Sequence, residues 1–465
     1  MPVIGKLFER ERDLSQPPAE PIWVGEVELG RALALEPVLA PPNPSHRRAL
    51  LLVRLHGEPV GFLTTTLRPD VGADLAELAR RIAEECRPAI LAHLAADAEC
   101  QGANETVTPA LSELGAAQPP DVLARQLGTG LGPCCPARHQ AATPGISVVL
   151  CTRNRPELAR RALASLAGLE YPDFEVLVVD NAPSDEATKE VFAADFAGDE
   201  RFRYVREPRP GLSRARNRGL VEARHDIVAF TDDDTRADAR WLEGIARGFA
   251  RRAGVGCVTG LVPSAQLDTA AQQYFHDRVW WASSLVPTCY RAARAEGDSP
   301  LHPYRMGIYG TGANFAIDRA LARSLGGFSE LLGAGSPCRG GAEDLDMFVR
   351  VLKAGALISF EPSAIIWHRA RPSNAELAEQ LEEYGRGIPI TGLKWLADPS
   401  TRRDVLVRIP GAFAYYLALL WNRGYGGEAS RAPMALVELR GTLSGPLAFA
   451  RGWSALRAER RAGEK

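Results

Sequence analysis

The chain has 465 residues, 46% of them hydrophobic, and a formal net charge of −2. That is apolar material enough for two or three domains, and a near-neutral balance gives no global sign of a nucleic-acid binder. Eight cysteines without a Cys-x-x-Cys pair argue against a disulfide framework or a thiolate zinc cage and fit a reducing, cytoplasmic setting.

The opening "MPVIGKLFERERDLSQ" lacks the apolar stretch of a signal peptide. Residues 1–97 read as a small α+β domain. "ALLLVRLHGEPVGFLTTTL" predicts two strands around a turn at His56-Gly57-Glu58-Pro59, and "DLAELARRIAEECRPAILAHL" carries apolar residues at helical spacing. His56 reads as a turn residue, and no chemical motif stands out there. Residues 98–144 lose periodicity in "AAQPP", "GTGLGPCCP" and "AATPG" and read as a linker.

From Ile146 the texture changes. "ISVVL", "EVLVVD", "DIVAFTD" and "GCVTGLV" predict strands, and "PELARRALASLAGL", "GLSRARNRGLVEA" and "ADARWLEGIARGFARR" predict the helices between them. This alternation over 145–373 implies an α/β domain with a mostly parallel sheet and flanking helices. Ligands of such sheets bind beyond the carboxyl ends of the strands. Asp180 ends the second strand, where it could cap a turn or accept hydrogen bonds from a nucleobase or ribose.

Asp232, Asp233 and Asp234 end the third strand. Alone they read as a solvated acidic turn. The strand period of two aims Asp232 and Asp234 the same way and Asp233 elsewhere, so that the pair can share one hard divalent cation. Downstream, "GGAEDLDMFVRVLKAG" predicts a helix entered through Glu343 and Asp344, and "AIIWHRA" a strand bearing His368. An acid in a first helical turn also suits the helix dipole. Residues 374–465 read as a helical region. Within it, residues 401–465 hold 11 Lys and Arg against 5 Asp and Glu. "IPGAFAYYLALLW" is too short to span a bilayer. This region, with Phe413, Trp421, Phe449 and Trp453, either packs on the preceding domain or lies peripherally on the inner face of an anionic membrane.

The ordered set "CTRNRP", "VVDN", "GLSRARNRGL", "FTDDD", "GTGANFAI", "GGF", "GGAEDLDMFVR" and "EPSAIIWH" resembles the family 2 glycosyltransferases of the GT-A fold over about residues 145–370. The resemblance implies a metal-dependent, inverting transfer of a sugar from a nucleotide-diphosphate donor to an acceptor hydroxyl. It implies a UDP-, GDP- or dTDP-sugar as donor, a glycan or lipid-linked acceptor, and Mn2+ or Mg2+ as cofactor. Thr152, Arg153, Arg155, Asp180, Arg214, Asn217, Asp233 and Asn314 would bind the nucleotide sugar. Asp232, Asp234 and His368 would hold the metal. Asp344 would be the general base, with Glu343 beside it. Cys151 stands where relatives often carry a small or hydroxyl residue. A sugar-nucleotidyltransferase is the alternative, but "CTRNRPELARR" offers no Gly-rich phosphate loop; a non-catalytic nucleotide-sugar binding module is the third reading.

Overall fold

The computed structural model describes residues 20–68, 72–100, 120–131, 143–279, 281–282, 284–295, 299, 301–305, 307–424 and 432–463. The N-terminal domain is a four-stranded sheet. Its strands are β1 (Ile22–Glu28), β2 (Glu36–Pro37), β3 (Arg48–Leu55) and β4 (Glu58–Thr66), in the order β2-β1-β3-β4. The expected hairpin forms, with β3 and β4 antiparallel, while β1 runs parallel to β3. The helical stretch that follows is two helices, α1 (Leu75–Glu85) and α2 (Arg87–Cys100). The break falls at Cys86, just before Pro88, which is tolerated only in a first helical turn.

The reading of 98–144 as linker needs correction. A third helix, α3 (Pro120–Thr129), lies inside that span and buries Leu123 and Leu127 in the N-terminal core beside Leu78, Ile82 and Ile90. A helix this short has a weak periodic signal, and tertiary burial stabilises it.

The second domain alternates β5 (Ile146–Thr152), α4 (Pro156–Ala167), β6 (Phe174–Asn181), α5 (Ala187–Asp195), β7 (Phe202–Glu207), α6 (Leu212–Glu222), β8 (Ile227–Asp232), β9 (Thr235–Ala237), α7 (Trp241–Ala250) and β10 (Val255–Leu261). It continues through α8 (Ala270–Arg278), β11 (Thr288–Tyr290), β12 (Phe315–Asp318), α9 (Arg319–Ser324), α10 (Glu343–Lys353) and β13 (Leu357–His368). The sheet order is β11-β13-β10-β12-β8-β5-β6-β7, with β9 paired to β13. β8, β5, β6 and β7 are mutually parallel, and so are β10 and β13. The short β12 sits antiparallel between β8 and β10. Every residue of β5 and β6 is buried, as a strand covered on both faces requires. Leu163, Phe192, Trp241 and Ile245 from α4, α5 and α7 cover one face. Leu220, Ala322, Phe348 and Val351 from α6, α9 and α10 cover the other.

The C-terminal region is α11 (Asn374–Ala397), α12 (Pro399–Gly424) and α13 (Ala432–Gly463). α11 and α13 cross closely; a Cβ added at Gly385 would lie 2.1 Å from the Glu438 carbonyl oxygen. Phe449, Trp453 and Leu456 of α13 pack against Leu331, Leu332 and Ile390. The N-terminal domain is fastened to the second by the Arg54 guanidinium, which donates to both Asp238 carboxylate oxygens at 2.5 and 3.2 Å. Val24 and Leu52 also share an apolar cluster with Leu261, Ile365 and Trp367.

Candidate active site

The parallel strands β5, β6 and β8 all end at one edge of the sheet, and the chemistry collects there. β5 stops at Thr152, which is buried and donates its hydroxyl to Asp233 Oδ2 at 2.8 Å. Arg155, at the start of α4, donates to Asp233 Oδ1 at 3.1 Å and lies 3.7 Å from Asp234 Oδ2. Arg153 is exposed; its guanidinium reaches toward the Gly335 loop.

Asp180, next to last in β6, is fully buried. Its Oδ2 accepts from the Tyr204 hydroxyl at 2.7 Å, while its Oδ1 has no hydrogen-bond partner. Burial pushes this carboxyl above the ordinary carboxylate range, and the Tyr204 bond offsets that only in part. A buried, unpaired acceptor is costly, so Asp180 has the character of a group waiting for a donor.

The strand stops at Asp232. Asp233 and Asp234 form a turn into β9, so a continued strand period does not set their directions. The Thr235 hydroxyl pins the turn by donating to the Asp232 carbonyl at 2.7 Å, and the Arg369 amide donates to the Asp234 carbonyl at 2.9 Å. Because β9 pairs with the end of β13, His368 stands opposite Thr235, and its Nε2 comes 3.6 Å from Asp234 Oδ1. Arg371 adds a cation 3.4 Å from Asp234 Oδ2. Burial holds His368 below the ordinary imidazole range; the Asp234 charge opposes this and Arg371 reinforces it. His368 therefore presents a neutral ring with a lone pair. Burial, with Asp234 and Asp233 adding to it and Arg216 opposing, pushes Asp232 up to about 7. Burial and Asp234 push Asp233 up to about 6 against Arg155 and Thr152.

Two carboxylates and a neutral imidazole are hard and borderline donors suited to a divalent ion that also holds a diphosphate. The crowding that raises Asp232 is the repulsion such an ion would relieve. The donor set thus fits in charge and chemistry. In the structure, however, Asp232 is turned to Arg216 while Asp234 faces His368, Arg155 and Arg371.

Arg216 is the residue that sequence reasoning missed. Its guanidinium is fully buried. It pairs with Glu343, donates to the Gly312 carbonyl at 3.1 Å and lies 3.4 Å from Asp232 Oδ1. The signal was available: Leu212, Arg216 and Leu220 are spaced four apart, on the helix face that turns to the sheet. Asp344, in the first turn of α10, accepts from the Gly312 amide at 2.5 Å and from the Leu345 amide at 2.8 Å. Burial and the Glu343 charge push it up to about 6 against Arg216. Tyr384 of α11 closes this side. Burial raises its hydroxyl above the usual phenol range, and the charges of Asp344, Asp234, Asp232 and Glu343 add to that.

Three expected nucleotide-sugar contacts are engaged elsewhere. Arg214 pairs with Glu330 at 3.1 Å and with Glu459 of α13. Asn217 exchanges hydrogen bonds with the Phe328 carbonyl (2.9 Å) and amide (2.7 Å). Asn314 is fully buried, donating to the Leu261 and Ala364 carbonyls and accepting from Trp241 Nε1. Helical spacing separates Arg214 and Asn217 from Arg216, and with both Nδ2 hydrogens donated Asn314 has no amide proton left for a ligand. Asp346 is structural too. Burial alone would raise it, but Arg350 and Lys394 hold it low, and it ties α10 to α11 through Lys394 (2.6 Å) and Trp395 Nε1 (3.0 Å).

A cavity of about 840 Å³ lies between the N-terminal and second domains, walled by Trp23, His46, Arg161, Arg236 and Arg369. It reaches the acidic turn at Asp233 and Asp234, whereas Asp180, Asp344 and Arg216 are not in its wall. The cluster of perturbed groups therefore belongs to the strand-end edge and only borders this cavity.

The profile described as Glycosyl transferase family 2 matches residues 147–307. Succinoglycan biosynthesis protein ExoM of Rhizobium meliloti (strain 1021) is 30% identical over 329 residues, 68% of this chain and 91% of that protein. Pre-mycofactocin glycosyltransferase of Mycobacterium tuberculosis (strain CDC 1551 / Oshkosh) is 26% identical over 240 residues, 52% of this chain and 46% of that protein. The chain thus spans nearly all of the first relative and under half of the second. Among solved structures, mannosyltransferase PcManGT from Pyrobaculum calidifontis, in complex with GDP-Man and Mn2+, superposes with a TM-score of 0.44 at 18% identity, covering 65% of this chain and 87% of that one.

Proposed function

This chain belongs to glycosyl transferase family 2, and from that premise we propose that it transfers a sugar from a nucleotide-diphosphate donor to an acceptor hydroxyl with inversion, assisted by Mn2+ or Mg2+. The observation that carries the reading is the convergence, at one sheet edge, of the acidic turn 232–234 with His368, Arg155 and Asp344.

In this proposal Asp180 accepts from the base or ribose of the donor through its unpaired Oδ1. Thr152 and Arg155 fix Asp233 and so hold the acidic turn. Arg153 and Arg155 face the diphosphate. Asp232, Asp234 and His368 hold the divalent ion, which when bound stabilises the negative charge that grows on the leaving diphosphate. Asp344 takes the proton from the acceptor hydroxyl as it attacks the anomeric carbon. Arg216 compensates Glu343 and Asp232 and keeps the Gly312 loop against Asp344. One base with one direct displacement gives inversion.

The acceptor we propose is a growing glycan or lipid-linked sugar, in keeping with a relative named for succinoglycan biosynthesis. The proposed setting is the cytoplasm, with peripheral contact at the inner membrane face. Among the described residues no helix is long and apolar enough to cross a membrane. Several exposed large apolar side chains lie on the last two helices: Leu406, Val407 and Ile409 on α12, and Leu436, Leu443 and Leu447 on α13. Exposed Arg440 and Arg451 flank Leu443 and Leu447 at helical spacing, the arrangement that suits an anionic interface. Phe449 and Trp453 pack inward instead. The side chains of Phe413 and Trp421 lie outside the described residues.

The test is turnover. The purified chain should hydrolyse or transfer from one of a panel of UDP-, GDP- and dTDP-sugars with Mn2+ or Mg2+, and EDTA should stop it. Release of pyrophosphate from a nucleoside triphosphate would favour the nucleotidyltransferase reading. Nucleotide-sugar binding without any turnover would favour the binding module. The anomeric configuration of the transferred sugar decides inversion.

A further inference from the structure

The N-terminal domain carries a group of side chains that the transfer reaction does not use. The turn between β3 and β4 is His56-Gly57, both with left-handed φ, 54° and 82°. A left-handed φ is uncommon for a residue other than glycine. Glu28 holds the turn in that shape by accepting from the His56 amide at 2.8 Å and the Gly57 amide at 2.9 Å. The turn presents the His56 ring to α2, where His93 and Asp97, one helical turn apart, share a face. His56 Nδ1 lies 3.0 Å from His93 Nε2 and 3.0 Å from Asp97 Oδ2, and those two atoms are 3.5 Å apart. All three residues are buried, at 8%, 6% and 2% exposure. Among the described residues no other group of His, Cys, Asp and Glu brings three ligand atoms together this closely.

The geometry also suits a bound cation. Glu58 Oε2 lies 3.4 Å from His93 Nδ1. A ligand histidine with its Nδ1 proton toward that carboxylate turns its Nε2 lone pair to the metal, and here Nε2 is the atom beside Asp97 and His56. A cation between them answers all three groups. A tetrahedral zinc with bonds of about 2.0–2.1 Å sets its ligands roughly 3.3–3.4 Å apart, and the observed spacings lie within a few tenths of an ångström of that. The Glu58 carboxylate behind His93 is the outer partner that metal-bound histidines usually have.

We propose that His56, His93 and Asp97 form a structural site for a divalent first-row transition ion, zinc foremost, separate from the ion at the acidic turn and independent of the transfer reaction. Two imidazoles and one carboxylate match zinc in softness. The bound ion joins the β3–β4 turn to α2. It also reaches the second domain, because Arg240, just before α7, donates to the His56 carbonyl at 2.8 Å and Arg247 of α7 pairs with Glu58 at 2.5 Å. The site thereby steadies the seat of the N-terminal domain on the sheet.

The experiment uses the full chain. After equilibration with Zn2+ and desalting, metal analysis should find about one zinc per chain that survives a brief wash with a weak chelator. Zinc should also raise the thermal midpoint of the wild-type protein. Cobalt(II) in its place should show the visible bands of a tetrahedral N/O site, and X-ray absorption should show a nitrogen/oxygen shell without sulfur. His93→Gln and Asp97→Asn should lose the retained zinc, whereas Asp234→Asn keeps it. Glu58→Gln, which removes no ligand, should weaken zinc binding roughly 10–100-fold. Background zinc in the wild type, a sulfur shell, or full retention in a folded Asp97→Asn variant would each overturn the proposal. The same spectra on Asp234→Asn, which loses a ligand of the acidic turn and keeps all three ligands proposed here, decide the matter even if the His93 and Asp97 variants fail to fold.

Discussion

The residues at the sheet edge divide by what their polar atoms lack. Asp180 has an acceptor oxygen with no partner, while Asn314 has none to spare. Asp180→Asn should therefore weaken donor-nucleotide binding roughly 10–100-fold, the equivalent of losing a hydrogen bond to a charged acceptor, and calorimetric titration with the nucleotide reads this directly. An unchanged affinity would return Asp180 to the role of a turn cap. Asp344→Asn should lower the transfer rate roughly 10²–10⁴-fold while leaving nucleotide affinity almost intact. The Asp344 carboxyl is raised to about 6 by burial and by Glu343, and a base acts in its deprotonated form. The wild-type rate should thus be flat above that pH and fall about tenfold per unit below it; a rate that holds steady to pH 5 would remove Asp344 as the base. Arg216→Met should behave differently from both. Removing a buried cation leaves Glu343 and Asp232 uncompensated, which costs roughly 3–5 kcal/mol, so denaturant midpoint and activity should fall together.

At the scale of elements, the strands that deliver Asp180 and Asp232 were readable as apolar runs ending in acids, because a parallel strand buried on both faces needs such a run. β12, a four-residue antiparallel strand, was not readable, since four residues show no period. α3 was hidden in turn-rich sequence for a similar reason. The acidic turn was legible as three aspartates, yet their directions were not: the chain leaves the strand after Asp232, and pairing of β9 with β13 then sets Asp234 beside His368. The α11/α13 crossing gives an element-scale test. Alanine in place of an exposed helix glycine stabilises by about 1 kcal/mol. At Gly385 the added methyl would meet the Glu438 carbonyl oxygen at 2.1 Å. Gly385→Ala should therefore lower the thermal midpoint, at a cost of roughly 1–3 kcal/mol, and a raised midpoint would show that the helices part without loss.

For the whole molecule, three bodies meet around one edge. The N-terminal domain is bound through Arg54 and Asp238, and the C-terminal helices contribute Tyr384 to the site and Glu459 to Arg214. If α13 also touches an anionic membrane, the full chain should sediment with anionic vesicles and be released by salt. Leu443→Ser with Leu447→Ser should abolish sedimentation and leave turnover of a soluble donor unchanged, because both side chains point away from the core. Equal sedimentation of the two proteins would leave only the packing role. The sequence by itself determined the family, the α/β class of residues 145–373 and the acids gathered at the strand ends, because these rest on local patterns: apolar runs, helical spacing and motifs in order. Only the tertiary structure decided which arginine of "RARN" is buried beside Asp232, that Asn314 and Asn217 are already hydrogen-bonded within the protein, and that a turn histidine meets two residues of a distant helix. Those outcomes depend on which face of each element is buried and on what arrives opposite it, and contacts between residues far apart in the chain leave no periodic trace in the sequence.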